Sequence, residues 1–283
     1  MLRIAIQSKG RLHDDTVALL AEADIKITES KRTLLAKAKG YPLESLFLRD
    51  DDIPQTVFDG IADLGVVGLN ELKEKGYDVD IVRSLGFGGC RLSLAIPKGE
   101  DYTDVSWFEG KKIATSYPKI LQQFLEEKGI HASIHVITGS VEISTSIGMA
   151  DAIFDLVSSG STLVSNNLKE VEVVLHSEAV LIGNKSLSEE KKALLDGLLF
   201  RLEAVKQSEG KKYVLLNAPN ESIEAITKIL PGMKSPTVMP LAEAGWSSVH
   251  TVLDGDRFWE IVAQLRAVGA QGILVIPIEK MIL

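Results

Sequence analysis

The sequence predicts an α/β protein of two lobes followed by a small C-terminal domain of ferredoxin-like type. Three observations carry this expectation. Short apolar runs alternate with helical patterns between residues 2 and 183, the signature of βαβ units and a mainly parallel sheet. No Pro/Gly-rich linker interrupts that region, so two α/β lobes joined by crossovers, with a ligand in the cleft between them, account for it. After one strongly periodic helix the pattern becomes β-α-β-β-α-β over about 70 residues, the ferredoxin-like order.

The chain has 283 residues, enough for about two domains or three small ones. Its 45% apolar and 25% charged residues are ordinary for a soluble globular protein. A net charge of −8, from 31 basic and 39 acidic residues, argues against broad nucleic-acid binding, which needs a basic face. It leaves room for phosphate ligands held by a few local cations. Cys90 is the one cysteine, so no intramolecular disulfide framework forms, and a cytoplasmic location is expected. The opening LRIAIQSKGR lacks the long apolar region and cleavage site of a signal peptide and reads as a first strand. No apolar run approaches the roughly 18–20 residues of a membrane span, so no membrane partner is expected.

Leu2–Gln7 is strand one. Ser8-Lys9-Gly10-Arg11 breaks it, and Leu12–Ala23 reads as a helix with Asp14 and Asp15 near its start. Lys9 and Arg11 sit at the mouth between strand and helix, where α/β sheets place ligands. Two solvated basic residues in a turn would give the same pattern. Ser45–Arg49 is a second strand, and Asp50–Asp52 with Pro54 open a helix. Arg49 at the strand end suits a phosphate, because its planar fork matches the oxygens. Three successive aspartates are more often dipole complements than a metal cluster. Asp63–Gly68 is a buried strand and Leu69–Lys75 a short helix. The glycines of Gly86–Cys90 precede the strand Arg91–Ile96. They therefore fail the dinucleotide fingerprint, which needs strand first and helix after, and read as a crossover. Cys90 reads as a buried small residue before a nucleophile.

Lys112–Thr115 is a strand. Pro118–Lys128 is a helix with Leu121, Phe124 and Leu125 on one face and Gly129 as its stop. Ser133–Ile137 is a strand. Ala152–Val157 is another, with Asp155 inside it, and it runs into Ser158-Ser159-Gly160-Ser161-Thr162 before the apolar stretch Leu163–Leu168, which opens a helix. Small residues and hydroxyls between a strand and a helix N-terminus bind phosphate well, because glycine lets the backbone approach and free N–H groups point outward. An ordinary strand–turn–helix connection is the competing reading. Asp151 and Asp155 just upstream do not help hold a phosphate. They suit sugar hydroxyls or a bound Mg²⁺, so loop and carboxylates together suggest a sugar phosphate.

Val171–Leu175 and Ala179–Ile182 return as strands. Ser186–Gln207 is a helix with an apolar stripe from Leu194 to Val205, a capping box of Ser186 and Glu189, and Gly210 as its end. Strands at Lys212–Leu216, Thr237–Leu241, Val249–Leu253 and Ile273–Ile278 follow, with helices at Glu221–Leu230 and Arg257–Val268. This part offers no dense cluster of titratable residues, so ligand sensing or assembly suits it better than catalysis.

The segments LRIAIQSKGRL at 2–12, LRDDDIP at 48–54, GGCRLSLAIP at 88–97, KKIATSYP at 111–118, GSVE at 139–142, ADAIFDLVSSGSTL at 150–163 and ILVIPIEKM at 273–281 together resemble ATP phosphoribosyltransferase. The form resembled is the long one, with a C-terminal regulatory domain. The match runs in order over essentially the whole chain. The resemblance implies the first step of histidine biosynthesis. N1 of the ATP adenine attacks C1 of phosphoribosyl pyrophosphate, and phosphoribosyl-ATP and pyrophosphate form with Mg²⁺. It implies a periplasmic-binding-protein-like core, with lobe I at 1–92 and 176–209, lobe II at 93–175, and a regulatory domain at 210–283. It implies a homohexamer, with a dimer as the smaller form, inhibited by histidine. No protein nucleophile is needed for such a reaction, so the lack of a Ser/His/Asp or Cys/His set fits. Catalysis rests on orientation and charge.

On this resemblance, Ser158, Ser159, Gly160, Ser161 and Thr162 take the 5-phosphate. Asp151 and Asp155 meet ribose hydroxyls or the Mg²⁺, and the metal ligands stay open between them. Lys9, Arg11 and Arg49 hold pyrophosphate and the ATP phosphates from the opposite lobe, with Lys9, Arg49 and Asp155 closest to the chemistry. Arg91, Tyr117 and Glu142 are further candidates in the cleft, Tyr117 also as a packing residue and Glu142 also as a solvated acid. Asn217, Thr237, Leu253 and Gly272 lie near the inhibitor. Three departures stand out. The family pattern has an arginine after GSVE, where this chain has Ser144-Thr145-Ser146. The loop reads SSGST where STGAT is more familiar. Asn217 stands where an acidic residue is expected to meet the inhibitor's amino group. The competing readings are a two-lobed binding protein that does not turn its ligand over, and a dinucleotide-dependent enzyme, which the misplaced glycines disfavour.

Overall fold

The computed structural model describes residues 1–28, 34–230, 232–233 and 235–283. The first lobe is built from β1 (Leu2–Gln7), α1 (Arg11–Glu22), β2 (Lys26–Ile27), β3 (Leu35–Lys39), β4 (Leu43–Leu48), α2 (Ile53–Phe58), β5 (Leu64–Gly68), α3 (Leu69–Lys75) and β6 (Asp80–Ser84). The chain then crosses into the second lobe with β7 (Cys90–Pro97), β8 (Lys112–Thr115), α4 (Pro118–Lys128), β9 (Ser133–Val136), β10 (Ala152–Val157), α5 (Ser161–Ser165) and β11 (Leu168–Ser177). It returns at once with β12 (Ala179–Gly183). The first sheet has the order β2-β3-β4-β1-β5-β12-β6 and the second β11-β7-β10-β8-β9. This is the two-lobed α/β core that the sequence leads one to expect.

The sheets are mixed, which corrects the expectation of mainly parallel ones. β1 pairs in parallel with β4 and β5, and β8 with β10 and β9. The other described pairings are antiparallel. The reason is topological. A parallel neighbour needs a long crossover connection, whereas β3 and β4 follow each other across a short turn, and β7, β11 and β12, by which the chain passes between lobes, lie against their neighbours in the opposite sense.

Local chemistry sets the element ends. α4 begins at Pro118 and stops at Gly129, whose φ of 68° is left-handed. α5 is shorter than its apolar sequence suggests. Asn167 takes a left-handed φ of 56° and β11 starts at Leu168, so the expected helix over Leu163–Leu168 ends after one turn. The expected Ser186–Glu189 capping box does not form either. The Ser186 N–H donates to Asn184 Oδ1 at 2.8 Å, and α6 (Glu189–Ser208) starts behind Ser188, whose carbonyl accepts from the Lys192 N–H at 2.9 Å.

Each lobe has its own core. Ala5, Ile53, Val57, Val67, Val180 and Ile182 pack in the first, and Leu92, Leu94, Ile96, Phe108, Ile113 and Phe154 in the second. The lobes are joined by more than the crossovers. Glu74 of α3, 8% exposed, accepts from the Lys119 and Ile120 N–H groups at 3.0 and 3.1 Å. It thereby satisfies the open N-terminus of a helix in the other lobe. Asn70 donates its N–H to Ser177 Oγ at 3.0 Å, and Ser177 Oγ donates back to Asn70 Oδ1 at 2.8 Å.

The chain divides into two compact units, residues 1–194 and 195–283, with the boundary inside α6. The second unit contains β13 (Lys211–Pro219), α7 (Ile223–Ile229), β14 (Thr237–Pro240), β15 (Trp246–Asp254), α8 (Gly255–Ala267) and β16 (Gln271–Pro277). Its antiparallel sheet has the order β14-β15-β13-β16, which is ferredoxin-like. Leu216, Ala218, Ile226, Leu230, Val249 and Leu265 form its core. Among the described residues no helix is long and apolar enough to cross a membrane.

Replacing Glu74 by Ala leaves two helix-terminal N–H groups without their acceptor. The expected loss is about 1–2 kcal/mol of unfolding free energy, read as a lower urea midpoint at unchanged slope. An unaltered midpoint would remove this contact from the forces that hold the lobes together.

Candidate active site

In the second lobe the phosphate-type loop lies at the C-terminal end of β10. Gly160 sits at φ 80°, which lets the chain reverse directly into α5. Ser159 Oγ and Ser161 Oγ are 3.0 Å apart. Among the described residues the N–H groups of Ser159, Gly160 and Thr162 have no acceptor, and Ser158, Ser159, Ser161 and Thr162 are exposed. Because α5 is a single turn, its dipole is small, and the free N–H groups and hydroxyls are what the loop offers an anion.

Asp155 lies beside the loop, half-buried. Its carboxyl is pushed up to about 6, chiefly by burial, with the hydrogen bond from the Leu156 N–H opposing the rise and the nearby Glu142 charge adding to it. Asp151 is elsewhere. It precedes the strand while the loop follows it, and the six residues between span roughly 20 Å at strand rise. Its carboxylate instead accepts the Lys112 N–H at 2.8 Å. The expected pairing of Asp151 with the loop is therefore corrected. Nearness in sequence along a strand separates residues by the full strand length.

Arg91 is also differently placed from a free cleft cation. Its Nε and Nη2 both donate to the Glu170 carboxylate at 2.5 Å, and Nη1 donates to the Ser158 carbonyl at 3.2 Å. The Arg91 hydrogen bond holds Glu170 below its ordinary range.

In the first lobe, the parallel pairing of β1 with β4 places their C-terminal ends side by side, and the Ser8 N–H donates to the Leu48 carbonyl at 2.7 Å. Lys9, Arg11 and Arg49 leave from these adjacent ends and form one basic rim. The Arg49 side chain is 80% exposed, with Nε 3.3 Å from Asp51 Oδ1, and Lys75 Nζ is 3.9 Å from Asp51 Oδ2. Asp51 thus sits between two cations. No group of three or more His, Cys, Asp or Glu side chains able to hold a metal occurs among the described residues.

Tyr117 is buried and bridges the lobes. Its hydroxyl accepts from Asn70 Nδ2 at 3.3 Å. Burial, then the charge and hydrogen bond of Glu71, then the Asp155 charge push its phenol above the ordinary range. Burial, followed by the Asp50 charge, raises Glu71 in turn. Asn70 and Glu71 were missed by the sequence reading. Their signal is akin to that of Arg49, polar residues within three positions of the end of a buried strand.

In the second unit, register puts Asn217 opposite Ser248 and Thr237 opposite His250, all on one sheet face. Gly272 lies beside Asn217, whose Nδ2 is 3.5 Å from where a Gly272 Cβ would stand. Leu253 faces the other way, toward the α7–α8 side. It lines a cavity of about 270 Å³ with Ile229, Leu230, Met233 and Arg257. The four residues expected near an inhibitor do not converge on one point within this unit.

A family model described as ATP phosphoribosyltransferase matches residues 49–204. The chain belongs to the ATP phosphoribosyltransferase family. A second model, described as HisG, C-terminal domain, matches residues 208–280, so this is the long form. Relatives named ATP phosphoribosyltransferase from Phocaeicola vulgatus and Bacteroides thetaiotaomicron are 68% and 66% identical over 100% of this chain and 100% of their own length. A solved structure, the ATP phosphoribosyl transferase (HisG:HisZ) complex from Thermotoga maritima, matches at 28% identity with a TM-score of 0.63. That alignment covers 72% of this chain and 97% of the other. The enzyme class is accordingly phosphoribosyltransferase, and the histidine-pathway and effector chemistry belong to the reading developed next.

Replacing Asp155 by Asn tests its environment. Its carboxyl is raised from 3.8 to about 6, so the folded state holds that proton more tightly than the unfolded chain. Stability then falls as pH rises through that window. The variant should melt above the parent at neutral pH, and the gain should vanish in acid below both values, while activity falls. A variant that melts lower at neutral pH would show the ionised carboxylate to be stabilised, contradicting burial as its main perturbation.

Proposed function

We propose that the enzyme joins N1 of the ATP adenine to C1 of phosphoribosyl pyrophosphate, releasing pyrophosphate, as the first step of histidine biosynthesis in the cytoplasm. The supporting observation is the pairing of two strand-end sites within one unit. A basic rim of Lys9, Arg11 and Arg49 leaves the first sheet, and a hydroxyl- and glycine-lined loop with open N–H groups leaves the second. Tyr117 and Asn70 tie the two together.

In this reading Ser158–Thr162 receive the 5-phosphate monoester. Asp155 faces the ribose, where its carboxylate holds hydroxyls and opposes the positive charge that builds on the ring as the C1–O bond breaks. Lys9, Arg11 and Arg49 hold the pyrophosphate and the ATP phosphates, so that leaving group and nucleophile are in line. Arg91 and Tyr117 serve as frame, through Glu170 and through Asn70 and Glu71. Asp155 and Glu142 offer the hard oxygens that suit Mg²⁺, which takes one or two protein carboxylates and completes its shell with substrate phosphate and water. When bound, Mg²⁺ would neutralise charge on the pyrophosphate.

Histidine as inhibitor, bound near Asn217, Thr237, Leu253 and Gly272, and assembly of dimers into a hexamer complete the proposal. In an assembly, residues that do not converge within one chain can be joined by those of a neighbour.

Mixing the purified enzyme with ATP, phosphoribosyl pyrophosphate and Mg²⁺ should yield phosphoribosyl-ATP, and no product would end this reading. Arg49→Ala should lose about 2–4 kcal/mol of transition-state stabilisation, and near-parental kcat/KM would take Arg49 off the rim's working groups. Asn217→Asp restores a charge for an amino group, so the histidine concentration for half-inhibition should drop by about tenfold. Unchanged inhibition would dissociate Asn217 from the effector.

A further inference from the structure

The loop at the end of β10 is held by a side chain from an edge strand that has no other part in the site. Glu170 lies on β11, immediately before a register shift between Glu170 and Glu172, and such a bulge re-aims side chains. Its carboxylate takes both Nε and Nη2 of Arg91 in a side-on fork, and it also accepts from Ser93 Oγ at 2.6 Å. Arg91 stands opposite Val157 in the β7–β10 pairing, one residue before the loop. The fork fixes the guanidinium plane, and the remaining Nη1 donates to the Ser158 carbonyl at 3.2 Å.

A trans peptide unit points its C=O and the following N–H to opposite sides. Anchoring the Ser158 carbonyl on Arg91 therefore turns the Ser159 N–H away from the strand frame, toward the side on which the loop is open. That N–H has no acceptor among the described residues. The sheet aims the loop, and the carboxylate fixes the arginine that does the aiming.

We propose that Glu170 is a positioning residue for the phosphate loop, acting through Arg91 to set the Ser158–Ser159 peptide for the monoester of phosphoribosyl pyrophosphate. This rests on the reading that the loop takes the 5-phosphate. It separates from the simpler idea that Arg91 is itself a phosphate ligand. A guanidinium released from Glu170 would then bind the substrate better, whereas loss of aim makes binding worse. The two ideas predict opposite signs for the same substitution.

The experiment is steady-state kinetics of the full-length enzyme with Glu170→Gln, Arg91→Ala, the double variant of these two, Arg91→Lys as a charge-conserving control, and Thr162→Ala in the loop. Glu170→Gln should raise KM for phosphoribosyl pyrophosphate by about tenfold or more, with KM for ATP unchanged and kcat at saturation largely kept. The double variant should be no worse than Arg91→Ala alone, because both act through one chain of contacts. Arg91→Lys, which keeps the charge and loses the fork, should move KM in the same direction, and it serves if Glu170→Gln fails to fold. A fall in KM in Glu170→Gln, additive effects, or equal shifts for both substrates would overturn the proposal. If Thr162→Ala raises KM while Glu170→Gln and Arg91→Lys do not, the positioning role alone fails. If none of them moves it, the assignment of the loop fails as well.

Discussion

A single carboxylate from one lobe closes the end of a helix in the other. Glu74 is almost fully buried, and both its oxygens accept backbone N–H groups at the start of α4. Left open, that helix terminus would keep two N–H donors without a protein acceptor. With Glu74 in place the joint is satisfied, and α3 and α4 hold the two sheets in one relation. Tyr117 lies one residue before α4, and Asn70 is on α3, so their contact across the lobes depends on the same fixed geometry. The strand ends that carry the basic rim and the phosphate-type loop inherit their relative placement from it.

Charge is divided accordingly. The first-lobe rim presents cations with Asp51 among them. Between the lobes lie acids whose charged forms are disfavoured by burial, Glu71 and Asp155, with the hydroxyl of Tyr117 between. In the proposed reaction this division suits a substrate that becomes positive at one carbon while its leaving group carries the negative charge. The rim cations leave strand ends of the first sheet, and Asp155 stands on β10 of the second.

Much of the fold was legible because its punctuation is local. Leu69–Lys75 and Pro118–Lys128 occur at the residues that Gly76, Pro118 and Gly129 mark, and the ferredoxin-like order follows from strand and helix periods alone. What was illegible was non-local. β3 reads LAKAK and β6 reads DIVRS. Neither has enough apolar weight to announce itself, and each is a strand because a neighbour offers it hydrogen bonds. The direction of β7, β11 and β12 depends on which lobe the chain has come from. The same distinction applies to the site. The loop after Val157 and the cations after β1 and β4 are visible as strand ends. Asp151 looked adjacent to the loop because sequence gives order without length. The partnership of Arg91 with Glu170 spans most of a lobe and leaves no trace in local pattern.

The second lobe begins at Cys90 and ends at Ser177, and those two residues face each other in the β7–β11 register. Its ends are thus neighbours, while the first lobe is assembled from two separated stretches of chain. Topologically the second lobe is an insertion in the first. Closing a gap between adjacent ends has little entropic penalty, so the genetic removal or transplantation of this lobe as one continuous cassette is feasible in a way that the reverse is not. A fold of this kind lets one half change its ligand chemistry as a unit, while the half that hosts it keeps its own chain path.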